Sequence, residues 1–323
     1  MLYNRIVKQG TIGEPEGKPE PQWALPSSVN WVASLRILTE TAPINFANAH
    51  TFYVSHGRRD MTPLVENTVF EQLFLALHHL SALKQLATIR PVTDVARIGV
   101  LAWYYGISNA ASAMIAAEQG SFQEDHTNTA RMYDTLIAGR NLAMGPFGWR
   151  VSSLLESTFK PEISQIRGDS MGSLQAKPSN AGEATAAAAS YLSGSAKYFA
   201  DRVAEDVRKS ANFKKLGVEN FRTKAARELR DERLAQRSIC FLHQAIRYRG
   251  KANYREALYM AYGRSVETIL RDYVTDLAAV LQAFLAMVGA FASRKLGKTL
   301  WGEFVSDVDE KRAFSAATKD VWV

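Results

Sequence analysis

The chain has 323 residues, 47% of them apolar and 22% charged, and a formal net charge of +7. This composition excludes intrinsic disorder for most of the length and suits one large or two ordinary domains, at roughly 100–200 residues each. A basic balance favours acidic partners, and the single cysteine, Cys240, excludes a disulfide framework and a cysteine-based zinc site.

Residues 1–26 hold Gly10, Gly13, Pro15, Gly17, Pro19, Pro21 and Pro26, which predicts an extended N-terminal arm. No apolar run follows the early charges, so a signal peptide is not expected and the cytosol is the expected compartment. Residues 27–145 are predicted to be helical. Val29, Val32, Leu35 and Leu38 recur at helical spacing, with Ser27 or Ser28 as the cap. Thr62-Pro63 reads as a cap followed by proline at the first helical position, opening a helix through Leu86. Asp94 is the expected cap of a long apolar helix through Ala117, closed by Gly120. A further helix is expected over about Thr127 to Gly139.

Residues 146–183 are rich in Gly, Pro, Ser and Asn and predict a linker or mobile loop. Residues 184–296 form a second helical part, with breaks expected near Gly217 and at Gly250. The apolar run Leu277 to Ala292 is shorter than the ~20 residues of a spanning helix, so a buried core helix is expected and no membrane partner. Residues 297–323 are weakly patterned and read as a tail. No period-two strand set and no solenoid repeat occurs, so the expected fold class is all-α, a multi-helix bundle.

The basicity is local. Between Arg202 and Glu256 there are 15 Lys and Arg against 7 Asp and Glu, a net excess of +8. From Lys224 onward, Arg227, Arg230, Arg233 and Arg237 fall three or four apart, and Arg222 precedes them, so several share a helix face. Such a stripe suits phosphate contacts; the alternative is a solvated face laced with Glu228, Asp231 and Glu232. No Walker loop, dinucleotide fingerprint or His-x-x-x-His pair is present, and no cofactor or metal is expected. His78 and His79 adjoin on a helix and point about 100° apart, which opposes chelation of one ion. His126 falls in the helix-capping loop Glu124-Asp125-His126-Thr127.

The segment Arg237 to Tyr262 is the most distinctive. Histidine can move the proton of a 2′-hydroxyl near neutral pH, and arginine can offset charge on phosphate oxygens, so RNA cleavage without metal needs only these two. Arg237 and His243 are the candidate catalytic pair, and Arg247, one turn after His243, shares its face. Arg222, Lys224, Arg227, Arg230, Arg233, Arg247, Arg249, Lys251 and Asn253 are the candidate nucleic-acid contacts. The competing reading makes His243 an interior helix residue beside the apolar run Ile239 to Leu242, with surface arginines around it.

Two stretches resemble the HEPN superfamily of small helical bundles. Trp103-Tyr104-Tyr105, followed by Ala110, Ala113 and Met114 and then His126, is similar to the family's Tyr-Tyr helix and its loop histidine. Tyr248 to Arg255 is similar to its Arg-x-x-Ala-Asp/Asn-Tyr segment. The resemblance covers about a quarter of the chain. The family's nuclease motif is arginine, four to six residues, then histidine, and Arg237 and His243 fit that count. In active members a polar residue commonly follows the arginine closely, whereas here the run is Ser-Ile-Cys-Phe-Leu, and a second alignment puts Asn253 after Arg247, where the histidine would be, as in members without nuclease activity. The resemblance implies a homodimer or complex subunit with the motif in a cleft, acting in defence, toxin–antitoxin or RNA processing. The leading expectation is an RNA- or nucleotide-binding protein, with or without ribonuclease activity. The rival is a non-catalytic helical module that binds a protein partner or nucleic acid.

Overall fold

Two long apolar segments of the sequence become the paired centre of an all-α bundle. The computed structural model describes residues 5, 21–253, 255–263 and 265–322. In its first half, α1 (Pro21–Thr41), α2 (Phe46–Phe52), α3 (Pro63–Leu86), α4 (Ala96–Gln119) and α5 (His126–Leu136) follow in order. Then come β1 (Arg150–Val151), α6 (Glu156–Arg167), α7 (Ala181–Lys209), α8 (Ala211–Lys215) and α9 (Lys224–Ala235). Strand β2 (Ile239–Cys240) leads directly into α10 (Phe241–Asn253), followed by α11 (Val266–Leu270), α12 (Tyr273–Leu296) and α13 (Lys298–Lys311).

Helix α4 is buried on most sides because it is apolar on most sides; it packs on α3, α12, α10 and α5. An added Cβ at Gly106 would lie 2.5 Å from the Leu281 side chain, so glycine permits this close crossing of α4 and α12. The apolar stretch ending α12 is long enough to cross a membrane, and 83% of its window is buried in the fold, so packing accounts for its composition. A second, smaller core joins Val151, Leu154, Phe159 and Ile163 to Leu192, Ala196, Leu234 and Ile239. A third holds Val207, Phe213 and Ala226 under α9.

Several sequence expectations meet their structure directly. The Thr62 side chain accepts the Val65 N–H at 3.4 Å, and Gly120 closes α4 in the left-handed region at φ +80°. Others are corrected. Gly10 to Pro19 lie outside the described residues, but the end of the expected extended arm is already helical, because α1 begins at Pro21 and carries Pro26 inside it. Ser27 does not cap; its hydroxyl donates back to the Ala24 carbonyl at 2.9 Å. Asp94 sits in a 3₁₀ turn, and α4 starts without a side-chain cap.

The expected linker over 146–183 contains β1 and all of α6, although Pro161 lies inside that helix. Burial of Phe159 and Ile163 against the second core outweighs the one backbone hydrogen bond that proline removes. Gly250 lies within α10 and does not interrupt it. The expected tail begins with α13 and ends docked: Trp322 is buried, its indole N–H donates to the Leu285 carbonyl at 3.0 Å, and it fills the space over Gly289.

Candidate nucleic-acid interface

Helix α10 carries most of the distinctive residues, and its start is pinned by the bridge that pairs Arg150 with Cys240 and Val151 with Ile239. At about 100° per residue, His243, Arg247 and Lys251 line one face and Arg249 falls on another.

The first face lies against α7. The His243 ring packs edge-on against Phe199 at 5.8 Å. One turn on, the Arg247 guanidinium lies 4.9 Å above the Tyr198 ring and 5.5 Å above Tyr191, and donates to the Ser195 hydroxyl at 2.9 Å. Another turn on, the Lys251 ammonium lies 5.8 Å from the Tyr191 ring. Arg202 extends the row, donating to the Tyr198 hydroxyl at 3.1 Å. Among the described residues, neither Arg202 nor Arg247 forms an ion pair. Tyr198 is 38% exposed, so aromatic and cationic surface is presented together.

The alanine-rich stretch of α7 brings this row close. Ala188, Ala189, Leu192 and Ala196 are buried, and Gly194 is open enough that an added Cβ would meet only Arg247 Nη1, at 3.9 Å. Gly194 also lines a cleft of 560 Å³ between α6, α7 and α9, with Lys197 and Arg208 on its walls. The Arg208 guanidinium lies 5.0 Å above Phe221 and that of Arg230 5.3 Å above it. Glu156, Asp201 and Asp231 line the same cleft, and Asp231 pairs with Arg230, so its charge is mixed.

The α9 stripe is more exposed and partly neutralised. Arg222, Lys224, Arg227 and Arg233 are exposed and Arg230 is half-buried. Lys224 pairs with Glu228 at 3.8 Å, Arg230 with Asp231 at 2.8 Å, and Arg227 donates to the Arg222 carbonyl at 2.8 Å. Asn253 is exposed at the end of α10; Tyr254 lies outside the described residues.

Arg237 and His243 occupy different surroundings. Arg237 is exposed on the rim of a separate cleft of 310 Å³, beside Asp206, Glu232 and Arg233. His243 Nδ1 accepts the Cys240 N–H at 3.3 Å, so one ring nitrogen serves the opening turn of α10. Burial pulls the His243 pKa down to about 4; buried Asp134 opposes this and Arg237 adds to it. Asp134 is itself engaged by Arg150 Nε at 2.8 Å and by the Ser238 hydroxyl. This is a packed polar junction, and Cys240 within it has its thiol pushed up by burial.

The two stretches behind the family resemblance meet on the other side of α10. Arg249 lies 4.6 Å above the Tyr104 ring, and the His126 ring lies 5.2 Å from Tyr104 and 5.7 Å from Tyr105. Asp125 caps α5 by accepting the Asn128 N–H at 2.8 Å, and His126 is the first helical residue. His78 stacks on Phe314 at 5.1 Å, whereas His79 stacks on Tyr105 at 6.0 Å. Among the described residues no group of three or more His, Cys, Asp and Glu is placed to hold a metal ion.

Sequence reasoning missed Tyr198, Arg202, Lys197 and Arg208, all on α7. Arg202 one turn after Tyr198 was the available signal, but its meaning depends on α10, some fifty residues away in the chain. A cleft of 630 Å³ between α3 and α13 was also unforeseen; Glu71, Glu303 and Asp307 outnumber Lys311 and Arg312 on its wall, which disfavours a polyanion. No protein-family model, curated protein or solved structure matches the chain.

Proposed function

We propose that this protein binds RNA across the surface shared by α7 and α10. The observation that carries the reading is the row Arg202, Tyr198, Arg247, Tyr191 and Lys251, in which cations lie over aromatic rings. Phosphates take the cations, and an exposed ring such as Tyr198 offers a base a stacking surface. The HEPN resemblance supports the same reading, since its two stretches lie on α4 and α10, which pack together.

Binding without cleavage at Arg237 and His243 is the form of the proposal. The His243 ring already accepts a backbone N–H, packs on Phe199 and is a weak base. Fluorescence anisotropy with a labelled single-stranded RNA tests the reading. Charge reversal of Arg202 and Arg247 to Glu should weaken binding at least tenfold with helical content unchanged. The same RNA should remain intact in EDTA. Unchanged affinity would reject the interface, and cleavage abolished by His243→Ala would restore the nuclease reading.

A further inference from the structure

We infer that Arg249, His126 and Tyr105 form a second site, on the side of α10 facing α4 and α5, that takes the phosphate of a phosphate ester. Arg249 is half-buried, and its Nε is enclosed with no hydrogen-bond partner. No carboxylate pairs with it among the described residues; its guanidinium rests on the face of Tyr104. A guanidinium N–H enclosed without an acceptor is costly, and a phosphate oxygen is the kind of acceptor it lacks.

The surrounding groups suit a phosphate and not a metal ion. The Ser108 hydroxyl lies 3.4 Å from His126 Nδ1, which fixes the ring and leaves Nε2 as the other donor or acceptor. The Asp125 carboxylate is occupied by Asn128 through both its backbone and side-chain N–H groups. Burial holds the His126 pKa below its ordinary value, Arg249 lowers it further, and Asp125 opposes them. From α3, His79 reaches the cluster through Tyr105, and burial holds its pKa low as well. The centre therefore carries one guanidinium and neutral imidazoles. An arriving phosphate neutralises the first and favours protonation of His126.

Tyr105 gives the site an aromatic edge. It is 39% exposed, with His79 on one side and His126 on the other. A nucleotide base can stack there while its phosphate reaches Arg249. The site differs from the α7–α10 row, because Arg247 and Arg249 leave α10 in different directions and touch different helices.

Two probes separate the sources of phosphate. Calorimetric titration of the full chain with inorganic phosphate and with adenosine 5′-monophosphate should show binding of both. Arg249→Gln and His126→Gln should each weaken it at least tenfold, whereas Arg247→Gln should leave it unchanged. Tighter binding of the nucleotide, lost in Tyr105→Ala, assigns the site to nucleotides; equal affinities assign it to backbone phosphate. NMR titration of the histidine rings in the unsubstituted protein guards against misfolded variants, with the His126 signal assigned by its loss in His126→Gln. Phosphate should raise the His126 pKa. Absence of binding, or a His126 titration indifferent to phosphate, overturns the site whether or not RNA binds at α7 and α10.

Discussion

Helices α9 and α10 are both rich in arginine, yet they use it differently. On α9 the cations are mostly exposed, partly paired with neighbouring acids, and carried by a helix over a small satellite core. On α10, Arg247 and Arg249 lie over tyrosine rings and pair with no carboxylate among the described residues. The difference teaches that net charge alone does not describe a basic helix: under the proposed reading, the exposed charge of α9 would attract a polyanion and the fixed cations of α10 would hold it. Exposed ion pairs contribute about 0–1 kcal/mol and are screened by salt. Cations fixed on rings lose less freedom when a phosphate arrives.

The largest effect should come from removing the support beneath α10. Trp31 stacks on Tyr191 at 4.2 Å and contacts Tyr248 at 4.8 Å, joining α1 to both helices of the row. Trp31→Ala should cost about 3–5 kcal/mol in chemical denaturation, as deletion of a large buried aromatic does. A loss below ~1 kcal/mol would mean that α7 and α10 hold their geometry without it.

The comparison sharpens in RNA binding. Tyr198→Ala removes one stacking surface and should cost about 1–3 kcal/mol of affinity. Reversing Arg227, Arg230 and Arg233 together to Glu should cost less than that at physiological salt. If the order is reversed, α9 is the docking surface and α10 is structural.

How much of this was legible follows from which signals are local. Thr62-Pro63 and Gly120 act through backbone geometry within one turn, so the sequence alone could place those ends. Pro26 and Pro161 misled, because a proline's local cost was outweighed by burial of Val29 and Val32 in one case and Phe159 and Ile163 in the other. The C-terminal tail looked unpatterned because Trp322 is held by long-range partners, the space over Gly289 and the rings of Trp301 and Phe304, and not by a periodicity. At the candidate site, the shared face of His243 and Arg247 was legible from their four-residue spacing. Which of its members meets an aromatic ring or a backbone N–H was not, since Tyr198 and Phe199 come from another helix.

A smaller effect separates His243 from its neighbours on the row. Its folded pKa of about 4 lies below the ordinary histidine value of 6.5, so the unfolded chain binds the proton more readily. Its contribution to stability is full above about pH 6.5 and is lost as pH falls toward 4. Asp276 runs the other way, because burial raises its pKa to about 6 and acid favours its folded form. The check is therefore a difference: the Tm advantage of the unsubstituted protein over His243→Gln should shrink between pH 7 and pH 4. A constant difference would place the ring in contact with solvent and return it to the candidate catalytic groups.

The central claim is that Arg202 and Arg247 on the α7–α10 face contact phosphates. The most direct measurement is the slope of log affinity against log salt for a single-stranded RNA, in the unsubstituted protein and in Arg202→Gln/Arg247→Gln. Each phosphate contact on a single strand contributes about 0.7 to that slope, so losing two should flatten it by roughly 1.4. An unchanged slope, with affinity unchanged at every salt concentration, would contradict the account.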